Sequence, residues 1–199
     1  MSYPDFFDLV KPIKVQDDLA NFLGTCENGV YEITYKEVVN QAGHSCPTVA
    51  SAYLMCTKAL EVLFKNELPK RGEIKVEFAS NQNDGVAGVV ARVASQITGA
   101  CASDGFGGIG PYFSRKNLLF FGSKINSEAR FTRVDNGLSV NVSIDLSSVP
   151  PSSKQAILIQ KIMQKIASED ETIEFKKLWQ ERVRKILIDC DDLEIIKIS

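Results

Sequence analysis

The sequence has little of what most metal sites and disulfide scaffolds are built from. It contains one histidine and five cysteines in 199 residues. The cysteines form no C-x-x-C pair, and their odd number and scattered spacing exclude a zinc ribbon and a disulfide framework. Free thiols of this kind fit a reducing compartment. If the chain binds a transition metal, His44 is its sole imidazole.

Long apolar runs and an excess of positive charge are also missing. No stretch is long enough to suggest a membrane span, and Tyr3-Pro4-Asp5 gives the start of the chain an aromatic and acidic character unlike a signal peptide. We therefore expect a cytoplasmic protein. The formal net charge of -2 argues against a nucleic-acid partner. A hydrophobic fraction of 44% is enough for one good core.

The most informative stretch present is Gly43-His44-Ser45-Cys46-Pro47. Pro47 suits the first turn of a helix, which places Cys46 at or beside the N-cap. Unpaired amides and the helix dipole at that position favour a thiolate. Residues two apart in an extended segment point the same way, so His44 and Cys46 can converge on one small volume.

These residues resemble a known family. The run 42–47, followed by a long apolar helix, is similar to the G-H-x-C-P signature of the FmdE family of formylmethanofuran dehydrogenase proteins. The likeness continues through most of residues 30–145. Segment 115–120 looks like the family's basic-Gly-Asn-Leu element, with Lys116 where glycine is usual. The resemblance implies an α+β, dimeric, metal-binding domain with His44 and Cys46 as ligands.

The chain departs from the family pattern after Thr98-Gly99. Many relatives have cysteine there, whereas this chain has Ala100, with Cys101 one position later. Cys101 is therefore a candidate third ligand. The zinc ribbon that some relatives append is missing. The family name does not imply the oxidation reaction itself, because that needs a molybdenum or tungsten enzyme with iron–sulfur centres that this chain cannot house.

The hydrophobic pattern predicts an α+β fold, with a mixed or antiparallel sheet packed against a buried central helix over 47–64. A polar stripe beginning at Ser51 predicts one solvent-exposed face on that helix. Pro150-Pro151 suggests a boundary, with an FmdE-like domain over 1–149 and a C-terminal helical hairpin with a possible terminal strand over 150–199. We assign this hairpin to packing or a dimer surface, and Trp179 to the core or an interface.

Further elements are predicted locally. Alternation over 74–78 predicts a strand, and the apolar run 117–121 predicts a central strand. Asn136-Gly137 predicts the turn of a hairpin. Asp84 is expected to cap a helix that ends at Gly99.

A second candidate site is the glycine-rich loop 102–114, which matches neither a P-loop nor a Rossmann fingerprint. It begins beside Cys101, so it could form a lid over a metal. The candidates for groups that surround the metal or bind a ligand are Asp84, Asp104, Tyr112 and Arg115.

The leading hypothesis is a small metal-binding protein that holds zinc, or another divalent transition ion such as iron, through His44, Cys46 and a third group. Three ligands with an open position would suit catalysis on an unknown small molecule, and four would imply a structural role. One alternative is a haem carrier or sensor that uses Cys46-Pro47. Another is a metal-free thiol enzyme with Cys46 as nucleophile, activated by His44.

Overall fold

The computed structural model describes residues 3–190 and 192–199. The strands are β1 (Ile13–Gln16), β2 (Val30–Ile33), β3 (Ile74–Phe78), β4 (Leu119–Phe120), β5 (Ala129–Arg133), β6 (Ser139–Ile144) and β7 (Ile196–Ile198). The α-helices are α1 (Asp18–Phe22), α2 (Tyr35–Ala42), α3 (Pro47–Phe64), α4 (Ala87–Thr98), α5 (Ser153–Met163) and α6 (Glu169–Ile188). Short 3-10 helices cover Asp5–Leu9 and Glu27–Gly29.

The main sheet has five strands in the order β4-β3-β5-β6-β7. Only the β3–β4 pair is parallel, and the other neighbours are antiparallel. Strand β3 buries Ile74, Val76 and Phe78 on one face, as its alternation predicts. The hairpin of β5 and β6 around Asn136-Gly137 is confirmed. Strands β1 and β2 form a separate antiparallel pair.

Helix α3 is the centre of the molecule, and its predicted bounds are confirmed. It packs against β6 and the neighbouring strands, and α2, α4 and α6 pack around it. Cys56 is fully buried in this core. The solvent-exposed face of α3 begins later than predicted, because Ser51 is also buried. The Ser51 hydroxyl donates to the carbonyl of Thr48 at 3.2 Å.

The prediction of a central strand over 117–121 is wrong. The structure has a two-residue strand, β4, at the sheet edge. Asn117 has a left-handed φ of 56°, which interrupts the extended backbone just before it. The amides of Leu118 and Leu119 both donate to the carbonyl of Cys101 at 3.0 Å. The segment is therefore tied to the loop beginning at Cys101, and only its end joins the sheet.

The prediction that Asp84 caps α4 is wrong. The helix begins at Ala87, with Val86 as its N-cap residue. The Asp84 carboxylate instead accepts hydrogen bonds from the backbone N–H and the side-chain amide of Asn81, both at 3.0 Å. It closes the turn before the helix. The helix ends at Gly99 in the left-handed conformation, as expected.

The C-terminal helices form the expected hairpin, with Ser168 and Glu171 as a capping box at the start of α6. Helix α6 packs on α3, and β7 pairs with β6 at the edge of the sheet. The α+β prediction is confirmed, whereas a division of the chain at residue 150 stays a prediction. Within the described residues, we find no helix with both the length and the apolar character needed to cross a membrane.

Candidate functional site

The signature sits at the junction of α2 and α3. Helix α2 ends at Gly43 with φ at 77°, which turns the chain sharply. Cys46 is the N-cap residue of α3, with extended φ and ψ of -146° and 167°. Its Sγ accepts a hydrogen bond from the amide of Val49 at 3.4 Å, and Pro47 follows at the first helical position. The predicted cap geometry is confirmed.

His44 is exposed, two residues before this cap. Its Nδ1 lies 3.0 Å from the carbonyl oxygen of Ala42. Because a carbonyl oxygen can only accept, the proton of the neutral ring is on Nδ1. The other nitrogen, Nε2, then keeps its lone pair available. This is the arrangement by which metal-bound histidines are commonly oriented.

Ser45, between these two residues, is held by the C-terminal helix α6. Its carbonyl oxygen accepts the indole N–H of Trp179 at 3.0 Å and the amide N–H of Gln180 at 3.2 Å. Its hydroxyl donates to Oε1 of Gln180 at 3.1 Å. The backbone of the signature is therefore fixed by residues 134 and 135 positions later in the chain.

Tyr35 completes this network from α2. Its hydroxyl lies 3.0 Å from Oγ of Ser45, and since the Ser45 proton is directed to Gln180, Tyr35 is the donor. Burial raises the pKa of Tyr35, which keeps the phenol protonated. Its ring meets Phe7 and Tyr53 edge-on within the core. The hydroxyl and the carbonyl of Ser45 thus both have partners on other elements, which fixes their positions.

The sequence pattern does not reveal the roles of Tyr35, Trp179 and Gln180. It assigns the hairpin to packing or a dimer surface, but α6 also supports the signature directly. The one available signal is that Trp179 is the only tryptophan. Nothing in the local pattern distinguishes Gln180 from other polar residues on a helix face.

Cys101 lies in a different place. It lines a cleft of ≈ 320 Å³ together with Asp104, and its Sγ is 3.7 Å from the carbonyl of Gly99. The glycine-rich loop packs directly on it, because a Cβ atom added to Gly105 would come within 2.5 Å of the Cys101 Cβ. In residues 3–190 and 192–199, no group of three His, Cys, Asp or Glu side chains is placed to hold one metal ion. Cys101 therefore does not join His44 and Cys46.

Arg115 belongs to a buried ion pair. Its guanidinium donates to Asp17 at 2.5 Å and to the carbonyl of Arg71, also at 2.5 Å. Arg71 reaches the other oxygen of the same carboxylate at 2.9 Å. Burial by itself would raise the pKa of Asp17, but the hydrogen bond from Arg71 and the charge of Arg115 together hold it below its usual range. The contacts of Arg115 bind the loop to the first half of the chain.

The remaining candidates are dispersed. Asp84 lines a cavity together with Glu128 and residues of the turn before α4. Tyr112 is 66% exposed and lines a third cavity, beside Asp18 and Arg115. Neither Asp84 nor Tyr112 lines the cleft that holds Cys101.

The donor set fits a metal in part. An oriented imidazole and a cysteine sulfur at a helix N-cap are suitable first ligands for zinc or iron. The two residues lie two positions apart in the sequence, at the start of α3. Within the described residues no third side chain of a metal-ligating type completes a cluster with them.

Together these features define a class of protein: an α+β domain whose central helix starts at a cysteine N-cap, with an exposed histidine two residues earlier and a C-terminal helix bound to the residue between them. The sequence profile of the family described as FmdE, molybdenum formylmethanofuran dehydrogenase operon, matches residues 42–193. The chain belongs to this family. The matched range includes the signature as well as Trp179 and Gln180. A comparison with curated proteins finds no match.

Proposed function

We propose that this protein binds a divalent transition metal, with zinc as the expected ion, through Nε2 of His44 and Sγ of Cys46. The observation that carries the proposal is the hydrogen bond from Nδ1 of His44 to the Ala42 carbonyl. In the neutral ring it leaves Nε2 as the acceptor, two residues from a cysteine sulfur held at a helix N-terminus. Membership of the FmdE family supports the same interpretation.

The remaining coordination positions would come from water, a small ligand or a second copy of the chain. A metal bound in this way supplies Lewis-acid chemistry, or lowers the pKa of bound water, at the exposed side of the signature. The residues of the chain contribute orientation. Tyr35, Trp179 and Gln180 hold Ser45, and thereby the backbone on which both ligands are mounted.

Elemental analysis of tag-free protein tests this proposal. Wild-type protein purified without chelators should contain near-stoichiometric metal, and the His44→Ala and Cys46→Ser variants should contain little. Cys46→Ser is a well-matched change, because serine is itself a strong N-cap residue and the start of α3 is preserved. Cys26→Ser, which removes a half-buried thiol elsewhere, should retain the metal.

Absence of metal from the wild type, together with no uptake of zinc or iron on titration, would overturn the proposal. A visible Soret band after haem addition that is lost in Cys46→Ser would instead favour the haem alternative. Retention of metal in both variants would place the site elsewhere.

We also propose that the protein is a homodimer, as the family resemblance implies. The exposed apolar stripe of the hairpin supports this: Ile159 and Met163 lie one turn apart on α5, Ile166 follows just after the end of that helix, and the three side chains are 39%, 77% and 65% exposed. Exposed apolar side chains this close together in the chain favour burial against a partner.

A further inference from the structure

A continuous groove runs along α4, from the signature to the glycine-rich loop. At one end a pocket of ≈ 330 Å³ is lined by His44 and Val89, among others. At the other end lies the ≈ 320 Å³ cleft that contains Cys101. Gln41, Arg92 and Gln96 line both, so the two cavities share a wall. Their sizes are those of ordinary small-molecule sites.

Arg92 supplies the charge at the middle of this groove. It is exposed, and the described part of the chain offers its guanidinium no ion pair or hydrogen bond. Arg71, which also lines the cleft, is by contrast paired with Asp17. A free guanidinium with five donors in a fixed fork is well suited to a carboxylate or phosphate group.

Gln96 supplies an acceptor beside it. Its side-chain Oε1 is buried and has no hydrogen-bond partner within residues 3–190 and 192–199. A buried acceptor without a partner is costly, so a ligand N–H or O–H that reaches it is favoured. Arg71 donates to the backbone carbonyl of the same residue at 3.2 Å, which keeps Gln96 in place.

The far end of the cleft is apolar. Leu119 and Phe121, from the edge of the sheet, form one part of its wall, and Ala91 and Gly88 leave space on the helix side. These residues would accept a hydrocarbon or aromatic group. The polar and apolar parts of the groove therefore call for different parts of one molecule.

We propose that this groove binds a small organic anion, with its carboxylate or phosphate on Arg92, an N–H or O–H group on Gln96, and its apolar part against Leu119 and Phe121. The His44 end of the groove brings such a molecule next to the signature. Binding itself requires no metal, so this inference stands apart from the metal proposal and goes beyond it.

The test uses metal-free protein and two probes, 4-aminobenzoate and 4-aminophenyl phosphate. Binding is measured by titration calorimetry and by NMR chemical-shift changes of the α4 amides. At least one probe should bind saturably, and the tighter of the two identifies the preferred acid group. Aniline, which lacks the anion, should bind much more weakly. The Arg92→Ala variant should lose roughly tenfold or more in affinity, as expected for a hydrogen bond to a charged group.

Arg92→Lys keeps the charge without the fork and should fall between wild type and Arg92→Ala. Gln96→Leu should weaken both amino-substituted probes and leave benzoate almost unchanged. Arg184→Ala, which removes an exposed arginine on α6, is the matched control and should bind as the wild type does. The proposal is overturned if neither probe binds, if aniline binds equally well, or if Arg92→Ala retains full affinity while its melting curve shows a folded protein.

Measuring both metal content and probe binding for each variant separates this inference from the metal proposal. Loss of metal in Cys46→Ser, a residue that lines neither cavity, with unchanged probe binding would support both. Probe binding that is weakened by Arg92→Ala and retained in Arg184→Ala, in protein that never takes up metal, would support the groove and reject the metal site.

Discussion

Trp179 donates its indole N–H to the carbonyl oxygen of Ser45, 3.0 Å away and 134 residues earlier in the chain. The next residue, Gln180, bonds both the carbonyl and the hydroxyl of Ser45. Because Ser45 lies between His44 and Cys46, the C-terminal helix sets the position of the two candidate ligands. This contact makes the C-terminal hairpin part of the site.

Removing these contacts should weaken metal binding without abolishing the fold. Trp179→Phe keeps most of the ring, including its packing against Phe175, but loses the N–H donor. Since supporting hydrogen bonds around a metal site are commonly worth about 10-fold or more in affinity, we expect a loss of roughly that size. Competition with a chromophoric zinc chelator measures it.

Gln180→Leu removes the hydrogen bonds of Gln180 to both the carbonyl and the hydroxyl of Ser45, and should have a larger effect than Trp179→Phe. Lys176→Ala, on the same helix and exposed, is the control and should bind metal as the wild type does. Wild-type affinity in both Trp179→Phe and Gln180→Leu would show that α6 does not orient the ligands.

The unfolding free energy should depend strongly on the buried ion pair of Asp17 with Arg115. The two side chains are 5% and 8% exposed. Asp17→Asn keeps an oxygen to cap α1 but leaves the guanidinium uncompensated, for which a loss of about 3–5 kcal/mol of unfolding free energy is expected. Urea unfolding followed by circular dichroism measures this.

Asp145→Asn is the matched control for that experiment. Asp145 pairs with Lys197 at 2.6 Å on the surface, where both side chains are accessible. Exposed pairs contribute about 0–1 kcal/mol, so this variant should stay close to the wild type. Equal losses in the two variants would mean that burial gives the Asp17 pair no special weight.

The Asp17 carboxylate should also make the unfolding free energy depend on pH. The folded-state pKa of Asp17 is lowered, so its stabilising effect is complete above the unfolded-state pKa, about 3.9, and is lost as the pH falls through the folded-state value. The difference in unfolding free energy between wild type and Asp17→Asn should therefore be constant near neutral pH and shrink below about pH 4. A difference that does not change on acidification would contradict this assignment.

The sequence predicts the parts of the fold that depend on local chemistry. Helix α3 and its cysteine cap follow from Pro47 and the apolar run after it, and the β5–β6 hairpin follows from Asn136-Gly137. The wrong prediction at 117–121 has a non-local cause. The amides of Leu118 and Leu119 both donate to the carbonyl of Cys101, and only residues 119 and 120 pair with β3.

The site is less predictable than the fold, because most of the contacts that support it join residues far apart in the sequence. His44 and Cys46 are neighbours in sequence and can be recognised from their spacing. The pairing of Ser45 with Gln180, and of Asp17 with Arg115, joins residues 135 and 98 positions apart. No periodicity or local motif encodes such contacts, because they depend on how the helices pack.

Cysteine reactivity distinguishes the thiols. Cys56 is fully buried, and burial raises the pKa of its thiol, so it should react with iodoacetamide only as fast as the protein opens. Cys26 and Cys101 are half-buried and should react in the native state. Peptide mapping by mass spectrometry measures each rate, with urea-unfolded protein as the control in which Cys56 reacts freely.

The same mapping tests the third ligand. Adding zinc should protect Cys46 and leave the rate at Cys101 unchanged, because Cys101 lies at the other end of the groove. Protection of both thiols would show that the metal draws Cys101 to the signature. Fast labelling of Cys56 in folded protein would contradict its placement in the core.

The exposed stripe on the hairpin predicts how the proposed dimer can be separated. Met163 and Ile166, at 77% and 65% exposure, are the most accessible apolar side chains of the stripe, whereas Leu158 of helix α5 is buried. Replacing Met163 and Ile166 together by glutamate should therefore leave the fold intact while placing charge in the dimer contact. Sedimentation equilibrium should show a dimer for the wild type and a monomer for this double variant, with matching melting curves.

Leu9 provides the control for the dimer experiment, because it is also 72% exposed but lies far from the hairpin in sequence. The Leu9→Glu variant introduces the same charge on an equally accessible apolar side chain, so it should remain a dimer. A loss of the dimer in Leu9→Glu as well would mean that added negative charge, and not its place on the stripe, separates the copies. A wild-type protein that sediments as a monomer, or a double variant that stays dimeric, would rule out the stripe as the dimer contact.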